Sequence, residues 1–277
     1  MNLENLALNI KKAENGIYYS TTSSAISYPE EGNDNFMQIE EDSFWFKHRN
    51  NVIAKSVKKY SAERPFFDIG GGNGFVSKRL QDDGCDVVLV EPGASGAANA
   101  RTRGIEKVLC STLGNAGFQK ESIDSAGLFD VVEHIEDDAG FLKNIHSYLK
   151  NEGLLYLTVP AFNILWSNED KDAGHYRRYS LKAIRELCRE CGFEIVYSSY
   201  IFSILPLPIF LFRSIPSKLG LNRNSDDLNK HKKEHRESKG LLSKIINSIW
   251  AWELRQVQRS KKIRFGSSCF VIAKKQQ

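Results

Sequence analysis

The stretch FFDIGGGNGFVSKRL, residues 66–80, decides how this chain is read. An apolar run ends on an acid, Asp68. Gly70, Gly72 and Gly74 follow at alternate positions, and a helical pattern begins near Phe75. Glycines let the backbone turn tightly and let a ligand come close, where any Cβ would clash. Taken alone, such a turn can hold a dinucleotide, a phosphate or nothing. The dinucleotide fingerprint G-x-G-x-x-G fails in both registers, because its third glycine would be Phe75 or Ser77. The P-loop ending G-K-[ST] is absent as well.

Working outward, short apolar runs alternate with helical patterns from Phe66 to about Tyr200. The runs PFFDIG, CDVVLVEPG, EKVLCST, SAGLFDVV and GLLYLTVP are nearly continuous in Val, Leu, Ile and Phe, as buried parallel strands are. NGFVSKRLQDDG, ASGAANARTRG and DDAGFLKNIHSYLKNEG read as helices between them, with Gly84, Gly104 and Gly153 where helix C-caps belong. The alternation predicts a doubly wound α/β sheet. CDVVLVEPG also sets Glu91 at the end of the second strand, where a carboxylate can accept both hydroxyls of a ribose. The competing reading of Asp68 and Glu91 is a pair of strand-end carboxylates capping helices, which leaves the glycine spacing unexplained.

The bulk properties are those of an ordinary globular protein. The 277 residues are 41% hydrophobic and 26% charged, with a formal net charge of +4, too mild to imply nucleic acid. A chain of this length buries a full core without disulfide or metal staples. The start, MNLENLALNIKKAENG, lacks the parts of a signal peptide, so a cytoplasmic location is expected. Five cysteines, odd in number and mostly widely spaced, fit a reducing compartment. Cys188 and Cys191 form a lone C-x-x-C on an amphipathic helical pattern without a second ligand pair, so packing is expected of them and no metal site is assigned.

Asp68, the alternating glycines and Glu91 together resemble the first two motifs of class I S-adenosylmethionine (SAM)-dependent methyltransferases. SAGLFDVVEHIEDD resembles the family's fourth-strand motif, with Asp130 and His134, and LKNEGLLYLTVP its following helix-turn-strand. The similarity covers about residues 66–160. It implies a Rossmann-like sheet of seven strands, mostly parallel, with helices on both faces and SSCFVIAKK entering antiparallel next to the edge. It implies SAM as cofactor, the methionine portion held by Asp68 and the loop of Gly70, Gly72 and Gly74, and the ribose held by Glu91. Many relatives carry an acid after the third strand that reads adenine. Here that stretch is CSTLGNAG, so the task falls to Ser111, Thr112 or a backbone group.

Methyl transfer asks mainly for an acceptor aligned with the S–CH3 bond and for water to be kept out. A base is needed only where the acceptor must lose a proton. His134 and His175 are the candidates. His134 lies at the carboxyl edge of the sheet, where open α/β folds bind ligands, though it also fits a helix-start histidine bonded to backbone. His175 lies in LWSNEDKDAGHYRRYS, which resembles the W-S-x-x-D-x-x-x-G-H-x-R-R-Y segment of a bacterial subgroup associated with surface-polysaccharide or lipid-linked pathways. That segment offers Trp166, Arg178 and Tyr179 to a substrate. The alternative is a structural loop whose arginines pair with Asp170 and Asp172. SFWFKHR resembles the same subgroup and makes a lid with Arg49 facing a carboxylate of SAM or substrate, or else a packing helix.

IFSILPLPIFLFRSIPSKLG, residues 201–220, is too short for a transmembrane helix and is broken by Pro206 and Pro208. It is expected to line an apolar acceptor pocket, to touch a membrane surface helped by Arg213, Lys218 and Arg223, or simply to pack. The expected organisation is an N-terminal helical lid over 1–60, a SAM-binding core over 61–200, an apolar and basic cap over 201–265 and a final core strand over 266–277. The expected activity is methylation of an O- or N-acceptor on a small molecule or lipid-linked glycan, by a monomer or homodimer that works in the cytoplasm or on the inner membrane face. Three other readings carry less. Aminopropyl transfer lacks acids for a polyamine. A non-catalytic SAM-binding subunit leaves intact motifs idle. Methylation of protein or nucleic acid finds DVVEHI where N/D-P-P-Y/F is associated with amino methylation, and KHKKEHR reads as a solvated loop.

Overall fold

A computed structural model describes residues 3–21, 43–61, 63–221 and 241–276. Residues 22–35 of YSTTSSAISYPEEGNDN, the basic tract 230–239 and Arg223 lie outside the described residues.

The expected alternation of strands and helices is present. In chain order the strands are β1 (Ile10–Lys12), β2 (Tyr18–Ser20), β3 (Phe66–Ile69), β4 (Val87–Val90), β5 (Val108–Cys110), β6 (Ile123–Phe129), β7 (Leu149–Pro160), β8 (Phe193–Ile201) and β9 (Ser268–Lys275). They form one sheet in the order β1-β2-β5-β4-β3-β6-β7-β9-β8. Among the described residues the sheet therefore has nine strands, and the expectation of seven is corrected. The extra pair comes from the N-terminal segment. β2 pairs in parallel with β5, and β1 pairs antiparallel with β2. Strands three residues long, reading IKK and YYS, carry too little alternation to be read from sequence. β9 runs antiparallel between β7 and β8, as expected of SSCFVIAKK.

Helices cover both faces. The larger ones are α1 (Phe44–Tyr60), α2 (Phe75–Asp82), α3 (Ala94–Thr102), α4 (Asp138–Tyr148), α5 (Asn168–Asp172), α6 (Leu181–Glu190) and, after the apolar segment, the helix Leu241–Gln258. Successive strand residues point to opposite faces. Phe66, Val87, Tyr156 and Phe270 thus pack with Val52 and Val57 of α1, Leu80 of α2 and Trp250 and Val257 of the late helix. Phe67, Val88, Leu155 and Val271 pack on the other side with Leu142 of α4 and Ile184 of α6. Cys188 and Cys191 are buried at that second face, and burial pushes the Cys188 thiol up to about 12, so it stays protonated and inert.

The segment after β8 is helical. α7 (Pro206–Ile209), a π turn (Phe210–Ser214) and α8 (Ile215–Lys218) follow without a break, and the late helix Leu241–Gln258 is α9. Pro206 and Pro208 do not break this run. They occupy its first turn, where no intrahelical N–H partner is needed. The wider π turn ends at Ser214, two residues before Pro216, whose ring nitrogen cannot donate. Lys218 Nζ donates to the Ile164 carbonyl at 3.3 Å and Arg213 lies 3.9 Å from Glu169, so this helix leans on the loop that follows β7. Among the described residues, no helix is long and apolar enough to cross a membrane.

α9 is tied down by Glu253, which is fully buried. Its carboxylate accepts from His48 Nε2 of α1 and from the Phe202 N–H, each at 2.9 Å, and from the Ser203 N–H. Burial alone would raise its pKa, but these hydrogen bonds hold the group below its ordinary value.

Candidate active site at the carboxyl edge of the sheet

β3 and β4 end side by side, with Asp68 opposite Leu89 and Ile69 opposite Val90. This register brings the two following loops together. Gly70, Gly72 and Gly74 all take positive φ, at 70°, 51° and 76°, and Gly74 leads directly into α2. A Cβ on Gly70 would stand 2.8 Å from Val131 Cγ2. Glu91 clamps the loop from the neighbouring strand. Its Oε2 accepts from the Gly72 N–H at 2.9 Å and its Oε1 from the Gly93 N–H at 2.7 Å. A carboxylate oxygen has two lone pairs, so each keeps one for a further donor such as a ribose hydroxyl.

Asp68 sits beneath the loop, buried, and accepts from Ser77 Oγ of α2 at 2.7 Å. Burial pushes its carboxyl up to about 6, against the lowering pull of Ser77 and Arg49. The side chain shapes the loop and anchors α2. Asp130, at the end of β6, has a positive φ of 57° and is paired with Arg49 of α1. The Arg49 guanidinium lies 4.7 Å from the Trp45 ring centre and 5.1 Å from that of Phe46. The segment SFWFKHR thus reaches the end of β6.

The loop after β7 is built around Asp170, which is 1% exposed. Its Oδ1 accepts from Arg178 Nε at 2.7 Å and lies 2.9 Å from His175 Nδ1. Its Oδ2 accepts from Arg178 Nη2 at 3.0 Å and from the Ser167 N–H at 2.9 Å. Burial raises and these bonds lower its pKa, and the net result is below the ordinary value. The Tyr176 N–H donates to the Glu133 carbonyl at 2.8 Å, docking the loop on the end of β6. As a result the His134 and His175 rings meet edge to face, 4.7 Å between centres. Burial first, and the His175 charge second, push His134 down to about 4, so it is neutral at physiological pH. A carboxylate oxygen of Glu133 lies within 4.8 Å of a ring nitrogen of each histidine. Glu133 is 1% exposed, and burial, followed by the charge of Asp130, raises its pKa well above the ordinary value.

A family model described as "Methyltransferase domain" matches residues 45–198. The match covers more than half of the chain and takes in both the glycine loop and the His175 loop. The chain belongs to this methyltransferase family. It is 23% identical over 160 residues to a "Probable S-adenosylmethionine-dependent methyltransferase" of Mycolicibacterium smegmatis, covering 57% of this chain and 62% of that one. It is also 23% identical over 184 residues to the ubiquinone biosynthesis O-methyltransferase of Pseudomonas aeruginosa, covering 64% and 65%. The chain thus spans less than two thirds of the length of these curated relatives. In fold it is similar to phosphoethanolamine N-methyltransferase 2 of Haemonchus contortus, solved with S-adenosylhomocysteine, with a TM-score of 0.55 at 17% identity over 91% of this chain and 58% of that chain.

The fold brings some of the expected residues together and separates others. Gly70, Gly72, Gly74 and Glu91 share one cradle, and Asp130, Arg49, His134 and His175 gather at the end of β6. Thr112 is exposed, and its hydroxyl accepts from the Asn115 N–H at 3.2 Å, closing the turn after β5. Arg178 is spent on Asp170. The Tyr179 hydroxyl donates to Asp138 Oδ2 of α4 at 2.7 Å, inside the core. Trp166 is half-buried at the start of the loop. Sequence reasoning passed over Glu133, although an acid inside the apolar run DVVEHI was the signal. It gave Asp170 only the role of arginine partner, and the i, i+5 relation to His175 was visible in the sequence.

Proposed function

We propose that the chain transfers the methyl group of SAM to an oxygen or nitrogen of an acceptor bound beside His134 and His175. The observation that supports this most is the Asp170–His175 pair, 2.9 Å apart, standing at the same sheet edge as the glycine cradle. SAM supplies an electrophilic methyl group. Gly70, Gly72 and Gly74 cradle the cofactor, with Glu91 on the ribose. Asp170 holds the His175 ring by Nδ1 and leaves Nε2 to take a proton from an acceptor hydroxyl or ammonium as the methyl is transferred. His134 is neutral and, beside His175, keeps the region free of extra charge. Trp166, with the helical segment above the loop, is the wall an acceptor meets.

The acceptor is read as a small molecule or a lipid-linked glycan. The support is the helix of α7, the π turn and α8, which leans on the active-site loop yet keeps Leu207, Phe212 and Leu219 between 61% and 69% exposed. On this reading the apolar segment 201–220 meets a lipid surface or the tail of the acceptor, and the protein works on the inner membrane face.

Single-turnover transfer from labelled SAM tests the chemistry. His175→Ala is expected to slow the step by about 100-fold or more, the usual worth of a positioned base, while SAM binding by calorimetry stays intact. A rate within a few-fold of the parent would remove His175 from the mechanism.

A further inference from the structure

We propose that Glu133, His134 and His175 together hold a divalent first-row metal ion, zinc foremost, at the carboxyl edge of the sheet. Each of the three offers one ligand atom, and these atoms all lie within 4.8 Å of one another. Two histidines and one carboxylate form a ligand set of catalytic zinc sites, which keep a fourth position open. Calcium and magnesium ask for more oxygens than this cluster has.

A second observation points the same way. Glu133 is 1% exposed, and its Oε2 has no hydrogen-bond partner among the described residues. A buried carboxylate oxygen left unsatisfied is costly, and a cation between it and the two imidazoles removes that cost. The outer partners are in place too. Ligating histidines are usually oriented through their other nitrogen by a carboxylate or carbonyl. His175 Nδ1 is held by Asp170, itself fixed by Arg178 and Ser167. His134 interacts with the backbone at Ala173 and Gly174. Ligand atoms of a tetrahedral site with bonds of about 2.1 Å stand about 3.4 Å apart, so side-chain rotations of ordinary size close the cluster around an ion.

The role of the ion rests on the methyl-transfer reading. Bound to an acceptor hydroxyl at the open position, it lowers the pKa of that hydroxyl, as metals do for water. The proton leaves to solvent. The oxygen lone pair then forms the O–CH3 bond, and the electrons of the S–CH3 bond return to sulfur, giving S-adenosylhomocysteine. His175 cannot be ligand and base at once, so the ion replaces the free imidazole as activator and favours an oxygen acceptor.

The test needs no acceptor. Tag-free protein is stripped with a chelator and titrated with Co2+ and then with Zn2+, following the visible bands of bound Co2+ and the metal content per chain. One equivalent is expected, with zinc displacing cobalt. His175→Ala and Glu133→Gln are each expected to weaken zinc by about tenfold or more, with SAM titration reporting that the variants are folded. If His175→Ala does not fold, His134→Ala carries the same test. No stoichiometric binding by the parent would overturn the proposal, as would binding that is equally tight in the folded variants. Failure to bind metal would leave methyl transfer with His175 as base. Failure to find an acceptor would leave the metal result standing.

Discussion

Asp68 shows what a single buried carboxyl beneath a glycine loop costs in stability. Its carboxyl is pushed up to about 6 by burial, so the fold is strained whenever the group is ionised. A raised pKa means that the group contributes stability below its unfolded value of 3.8 and that this contribution is lost as pH rises through about 6. Asp68→Asn is therefore expected to be more stable than the parent at pH 8, by up to about 3 kcal/mol, and to lose the decline between pH 4 and 7. Urea unfolding at several pH values measures this, and a less stable variant at pH 8 would refute it. Calorimetry with SAM should show weaker binding by the same variant. Asp170 makes the opposite case. Its carboxylate is buried against Arg178 and His175, and Asp170→Ala leaves the guanidinium without its partner, at a cost of about 3 kcal/mol. An unchanged unfolding midpoint would mean that the arginine finds another acceptor. Asp170 and His175 were separately legible in the sequence. That both Arg178 and His175 end on one carboxylate was not, since it depends on how the loop folds back on itself.

At the scale of elements, the glycine loop and Glu253 make sharp claims. Gly70 combines a φ of 70° with a Cβ position 2.8 Å from Val131. Gly70→Ala must shift the loop away from β6, and it is expected to abolish SAM binding while costing about 1–2 kcal/mol of stability. SAM affinity within a few-fold of the parent would show that the loop tolerates the displacement. Glu253→Gln keeps size but removes the charge that His48 and two backbone N–H groups share. A loss of about 2 kcal/mol is expected by chemical unfolding, and an unchanged stability would show that a neutral amide serves equally well. The central strands and helices were readable because apolar runs and helical periods alternate over many residues. β1 and β2 escaped because each owes its strand conformation to a neighbour, β5 in the case of β2, and not to its own pattern. The π turn escaped as well, since its wider register over Phe210–Ser214 is seen only in the folded backbone.

Taken as a whole, the molecule joins remote stretches of chain. Leu3, Ala7 and Ile17, all before β3, are buried in the core. Removing residues 1–21 is expected to strip these contacts, bare the edge of β5 and promote association between copies, which light scattering on a sizing column measures. A monomeric truncated protein of parental stability would show the added strands to be ornamental. Flotation with anionic liposomes examines the apolar helix after β8. Association that Phe212→Glu abolishes is expected, and protein remaining in the soluble fraction would count against the membrane part of the reading.

The position of β9 has a consequence for biosynthesis. It fills the gap between β7 and β8, yet it is made more than sixty residues after β8 ends at Ile201. Until residues 268–275 clear the ribosome, the nascent chain holds β7 with one side unpaired and β8 with nothing to pair against, both rich in apolar side chains. Such bare strands invite pairing with other chains. A stalled chain ending before Ser268 should bind chaperones and resist release, while one extended past Lys275 should close its sheet and let go.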